Sequence, residues 1–159
     1  MPADLHATGT ADRRAAVRNA GQTGGRRELP GGELRILLIE DSRPLRERMI
    51  GMLTVPGVMQ VTGTAETERE ATALIDGNDY DALVVDVELR EGSGITTIRH
   101  ARRSYAARRQ PLIIVLTNYA LPTVRQRCIE VGADHFLDKM QQFLQVRPLL
   151  EAHYRHADS

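Results

Sequence analysis

The run LRILLIED at residues 34–41 decides how this chain is read. Apart from Arg35, its first six residues are large and apolar, and they stop abruptly at two carboxylates. A strand covered on both faces has this character, because neither side of its pleat meets water. ALVVD at 82–86 and LIIVLT at 112–117 repeat the pattern. With two weaker stretches, the expected strands are Leu34–Ile39, Val58–Thr62, Ala82–Val85, Leu112–Leu116 and His135–Leu137.

Helical spacing fills the gaps between them. Ser42 stands as an N-cap with Pro44 in the first turn, followed by Leu45, Met49 and Leu53 on one face. Ala71, Leu74 and Ile75 share a face within Glu66–Ile75. Ile95, Ile98, Ala101 and Tyr105 mark a third helix, and Leu121, Val124, Cys128 and Val131 a fourth. A fifth should cover the end of the chain, where Pro148 must start it, kink it or interrupt it. Five strand–helix units predict a parallel sheet wrapped by helices through right-handed crossovers.

Composition sets the boundaries of this reading. The chain has 159 residues, with 21 basic and 21 acidic side chains. That balance argues against a general nucleic-acid or membrane-surface binder, which would carry a basic excess. The single cysteine, Cys128, forbids an internal disulfide and suits a reducing compartment. No apolar run approaches the roughly 18 residues of a membrane span, and the first thirty lack a signal-peptide core. A cytoplasmic protein is therefore expected. Residues 1–33 hold no aromatic and few large aliphatics, ending at Pro30-Gly31-Gly32. Such a segment buries too little to offset its ordering entropy. It is expected to be a disordered extension before a domain at 34–155, with 156–159 as a tail.

In parallel sheets ligands bind beyond the carboxyl ends of the strands. Those ends carry Glu40-Asp41, Asp86, Thr117-Asn118 and Asp138-Lys139, and Lys139 is the chain's only lysine. Clustered carboxylates need a cation or a raised pKa. Hard oxygen ligands of this kind suit Mg²⁺, which also accepts phosphate. A lysine and a hydroxyl facing them can neutralise and hydrogen-bond phosphoryl oxygens. The edge fits phosphoryl transfer.

LLIEDS (37–42), VVDVELREGSG (84–94), VLTNYA (115–120) and GADHFLDK (132–139) together resemble the receiver domain of two-component response regulators. The separations, 45 residues from Asp41 to Asp86, 31 to Thr117 and 22 to Lys139, are close to those of that family. The resemblance implies an α/β, flavodoxin-like, doubly wound fold: five parallel strands in the order 2-1-3-4-5, with five helices. It further implies a stand-alone, chemotaxis-type switch rather than an enzyme, with only self-phosphorylation and slow autodephosphorylation as its chemistry. Asp86 would accept the phosphoryl group from a sensor histidine kinase or histidine phosphotransfer protein. Asp41, Asp86 and the backbone carbonyl of Glu88 would hold Mg²⁺, with Glu40 acting through water. Lys139 would meet the phosphoryl group, and Thr117 with Phe136 would form the switch. Glu88 and Tyr119 would flank the approach of hydrolytic water and tune the phosphorylated lifetime. Gly94 falls where the loop after the third strand needs a small residue. Two positions depart from the pattern: Glu40 replaces the commoner Asp, and Met140 stands where proline usually follows the lysine. A downstream protein target and possible homodimerisation are implied, without direct contact to nucleic acid or membrane.

Blander readings accompany these. Asp41 alone suits a helix cap, Thr117 alone a strand-end turn, and Phe136 alone the core. Arg99, His100, Arg102, Arg103, Arg108 and Arg109 read as a solvated helix face before they read as a docking patch. Cys128 lies on an apolar stripe and is expected in the core, and His153 with His156 lacks a third metal ligand. Two other functions compete. A phosphatase of the haloacid dehalogenase type needs a second Asp two residues after its nucleophile, where this chain has Glu88. A receiver-like module independent of phosphate is weighed against by the joint presence of Asp41, Asp86, Thr117 and Lys139. No G-x-G-x-x-G or G-x-x-x-x-G-K-[ST] follows any strand, which disfavours nicotinamide and nucleoside-triphosphate chemistry.

Overall fold

A computed structural model describes residues 32–157. Except for its last two residues, the expected extension lies outside the described residues, as do the tail's Asp158 and Ser159. Five strands form one parallel sheet: β1 (Leu34–Ile39), β2 (Met59–Ala65), β3 (Ala82–Val85), β4 (Leu112–Thr117) and β5 (His135–Asp138). Their order is β2-β1-β3-β4-β5, as the family resemblance implied. Helices α1 (Arg43–Met52), α2 (Glu68–Gly77), α3 (Gly94–Ser104), α4 (Pro122–Glu130) and α5 (Val146–Ala157) follow the strands in turn.

Alternation along the strands divides the core into two layers. Leu34, Ile36 and Leu38 of β1 pack with Met49 and Leu53 of the first helical unit and with Val146 and Leu150 of α5. Leu37 and Ile39 face the other way, toward Ala71 and Ile75 of α2, Ile98 of α3 and Cys128 of α4. Burial of apolar surface on both sides at about 25 cal/mol per Å² is what the near-continuous strand runs encode. Cys128 is core, and burial pushes its thiol up to about 11.

The structure corrects several boundaries. β2 runs to Ala65, beyond the expected Thr62, because it is an edge strand whose Gln60, Thr62 and Thr64 are exposed. Its register slips between Ile36 and Leu37, leaving Thr62 as an extra residue. α2 begins two residues later than expected because Thr67 caps it, accepting a hydrogen bond from the Glu70 amide. Leu121 was expected on a buried stripe but is 57% exposed, since α4 starts after it. Pro148 is the third residue of α5, where its missing N–H has no intrahelical partner to lose. A single helical turn (Lys139–Gln142) and a 3₁₀ segment (Phe143–Gln145) lead into that helix.

His100, Arg102 and Arg108 of the basic cluster around α3 are engaged within the protein. Arg102 donates to the Gly132 carbonyl and to Asp134, while Arg108 donates to Asp79 and to the Ile75 and Asn78 carbonyls. His100 meets Asp76 at 2.8 Å. These residues tie α3 to its neighbours, so they form neither the solvated face expected of them nor a docking patch.

Candidate functional site

The parallel sheet brings the strand ends together on one edge, as the sequence predicts. Glu40, Asp41 and Asp86 each offer a carboxylate oxygen, and these oxygens lie within 4.8 Å of one another. Glu40 and Asp86 are buried and Asp41 is exposed, so the cluster opens to solvent on one side. Lys139 reaches across from the end of β5, its Nζ 2.7 Å from Asp86 Oδ2 and 2.6 Å from Glu40 Oε1. The longer glutamate in place of the usual aspartate is thus a direct partner of the lysine.

Electrostatics explain why these charges are held together. Burial raises the Glu40 pKa, against the hydrogen bonds from Lys139 and from the Ser42 amide that favour its charged form. The Ser42 amide donates to Glu40 Oε2 at 3.0 Å, and the Ser42 side chain makes no capping bond to α1. Burial also disfavours the charged Lys139, but hydrogen bonds to Asp86 and Glu40 outweigh it and its pKa is raised. Two acids opposite one ammonium leave an excess of negative charge beside the exposed Asp41. The donor set fits Mg²⁺, which prefers hard oxygens, binds through few carboxylates and retains water.

Close packing fixes the loop after Asp86. Ideal Cβ placement at Gly94 falls 2.1 Å from the Asp86 backbone carbonyl, so only glycine fits there. The Gly94 amide donates to the Val87 carbonyl, and the Ser93 hydroxyl caps α3 by accepting from the Ile95 amide. The Glu88 amide donates to Asp86 Oδ1 at 3.3 Å, placing Glu88 directly beside the carboxylate.

The remaining candidates lie around this centre. Thr117 is fully buried, and its Oγ1 accepts a hydrogen bond from the Tyr119 amide. Tyr119 is 46% exposed and Glu88 is exposed. Phe136 is half-buried against the layer formed with α2, α3 and α4. Asp138 does not join the acidic cluster: it caps the turn after β5, accepting from the Met140 amide at 2.8 Å. Proline at 140 could not donate that bond.

Sequence reading missed Arg46 and Glu68. Arg46 donates to the Glu40 carbonyl and pairs with Glu66, which also pairs with Arg90 of the loop after Asp86. Glu68 accepts from the Ser93 amide in that same loop. The available signal was charge complementarity between Glu66, Glu68 and Glu70 and the loop's Arg90, but no local spacing pairs these segments.

The sequence profile of the response regulator receiver domain matches residues 36–150. The phosphate regulon transcriptional regulatory protein PhoB of Escherichia coli (strain K12) is 33% identical over 105 residues, 66% of this chain and 44% of that protein. The gliding motility regulatory protein of Myxococcus xanthus is 31% identical over 106 residues, 67% of this chain and 13% of that protein. The chain therefore spans less than half the length of these relatives. Among solved structures, the receiver domain of the Pseudomonas aeruginosa sensor histidine kinase PA1611, with magnesium coordinated in its active-site cleft, is 26% identical. Its TM-score is 0.61, covering 80% of this chain and 99% of that one.

Proposed function

The chain belongs to the response regulator receiver domain family, and from that premise we propose that it is a phosphoacceptor switch with Asp86 as the phosphorylated residue. The observation that carries the reading is the Asp86 carboxylate held between the Lys139 ammonium at 2.7 Å and two further acids. A carboxylate paired with an adjacent ammonium in an open acidic site is placed to act as a nucleophile toward phosphorus.

The donor is a phosphohistidine of a sensor kinase or phosphotransfer protein. Asp86 oxygen forms a bond to phosphorus as the phosphorus–nitrogen bond breaks, and the imidazole leaves and takes a proton. Asp41, Asp86 and the Glu88 carbonyl, with Glu40 through water, are the groups that would hold Mg²⁺. Bound there, the ion would offset the charge of the phosphoryl oxygens. Lys139 exchanges its contact with Asp86 for one with a phosphoryl oxygen, and the buried Thr117 hydroxyl is placed to turn toward the same group. That change, passed to Phe136 and α4, alters partner binding; a homodimer is one outcome. Release of phosphate by slow autodephosphorylation returns the switch to its starting state. Among the described residues no helix is long and apolar enough to cross a membrane, and the proposed place of action is the cytoplasm.

The test is labelling by acetyl phosphate with Mg²⁺. Wild type is expected to incorporate one phosphoryl group, and Asp86→Asn none, while its circular dichroism is unchanged. Label retained in Asp86→Asn would place the acceptor elsewhere.

A further inference from the structure

Glu68 lies at the start of α2, outside the acidic cluster, yet it grips the loop that follows Asp86 in two ways. Its backbone amide donates to the Glu91 carbonyl at 3.0 Å, and its carboxylate Oε1 accepts from the Ser93 amide at 2.9 Å. Gly92 between those residues has φ +81°, and a Cβ there would stand 2.4 Å from the Glu68 Cβ. The loop is thus shaped to fit against this side chain. Ser93 in turn pairs with Glu88 across an isolated antiparallel bridge. Glu68 therefore lies one backbone pairing away from the residue whose carbonyl would face the cation.

A backbone carbonyl has no rotamers, so its direction is set only by what holds the chain on either side of it. On one side of Glu88, the amide is tied to Asp86 itself. On the other, the Ser93 bridge is fixed by a charge-assisted hydrogen bond to a half-buried carboxylate, about twice as strong as a neutral one. Arg90, by contrast, is 61% exposed where it meets Glu66, and screening leaves that pair little weight.

We infer that Glu68 is a positioning residue for Mg²⁺: its carboxylate, through Ser93, holds the Glu88 carbonyl in the direction the ion requires. This rests on the proposed reading of the site. Groups that orient metal ligands commonly change metal affinity by about 10–100-fold when removed.

The test uses the full 159-residue chain and Mg²⁺ alone, followed by amide chemical shifts. Glu68→Ala is expected to bind Mg²⁺ about tenfold more weakly, while Glu68→Gln, whose amide oxygen still accepts from Ser93 but without charge assistance, falls between Glu68→Ala and wild type. Arg90→Ala should leave affinity unchanged. Wild-type affinity in Glu68→Ala overturns the inference, as does equal weakening in the Ala and Gln variants. In wild type, a measurement that does not depend on the folding of any variant, Mg²⁺ should slow hydrogen exchange at the Ser93 amide. Exchange there that ignores Mg²⁺, while Asp86 and Glu88 shifts saturate, overturns it too. A wild-type protein that takes no Mg²⁺ overturns both the inference and the proposed function. Normal wild-type binding with an indifferent Glu68→Ala overturns the inference alone.

Discussion

The loop leaving β3 and the segment leaving β5 serve the same carboxylate, yet they are held in different ways. Residues 87–93 are bound by the Glu88–Ser93 bridge, the Gly94 and Glu68 amides, and the Glu68 carboxylate. After β5, Asp138 caps a single turn, and Met140 and Leu144 are 84% and 73% exposed. Beside that turn lies a cleft of about 730 Å³ lined by Leu45, Arg48, Asn118, Lys139, Phe143 and Leu144. The difference follows from what each segment delivers. A carbonyl must be aimed by its backbone, whereas an ammonium on a four-carbon stem is aimed by the charges it meets. The β3 loop is therefore pinned, and the β5 segment is free to present apolar surface.

This contrast breaks most readily at Gly94. Gly94→Ala puts a methyl group against the Asp86 carbonyl and should cost about 2–3 kcal/mol, read as a lower denaturation midpoint. An unchanged midpoint would mean the β3 loop yields as easily as the β5 segment.

The next largest effect concerns the mouth of the site, where the pinned loop meets the turn after β4. Glu88 belongs to the pinned loop and Tyr119 to the exposed rim. Replacing them together, Glu88→Asn with Tyr119→Ala, should speed loss of the phosphoryl group roughly tenfold, about 1.4 kcal/mol. Decay after donor removal measures it, and equal lifetimes would show that neither side chain covers the approach of water.

Thr117→Ala probes the end of β4, which lies between the two strands compared. It removes the bond from the Tyr119 amide, costing about 1 kcal/mol, but should leave labelling intact. Shifts on phosphorylation should then stop short of α4, which buries only Cys128 fully among its nine residues. Shifts that still reach α4 would assign the coupling to another residue.

The smallest effect is a pH slope. Because burial raises the Glu40 pKa, the folded state holds that proton more tightly than the unfolded state does. The stability Glu40 contributes is thus present at acid pH and is lost as pH rises through its raised folded value. Without Mg²⁺, Glu40→Gln should flatten the stability profile as pH rises above the ordinary carboxylate range. An identical slope in the variant would place the titration elsewhere.

The sequence by itself determined the strand runs, their polar ends and the residue types that stand there. Burial leaves a local imprint: Leu34–Ile39, Ala82–Val85 and Leu112–Thr117 read as strands because both faces are covered. Identical chain direction then carries Glu40, Asp41, Asp86, Thr117 and Lys139 to one edge. Where one face is solvated, the imprint fades, and β2 was illegible after Thr62. Only tertiary structure decided that Asp138 turns away, that Leu121 stays exposed and that Glu40 meets Lys139 directly. It also decided that Glu68 holds Ser93, 25 residues away along the chain. Residue pattern reports how much water a position meets, whereas the choice of partner is made only when crossovers bring distant segments within a hydrogen bond's reach.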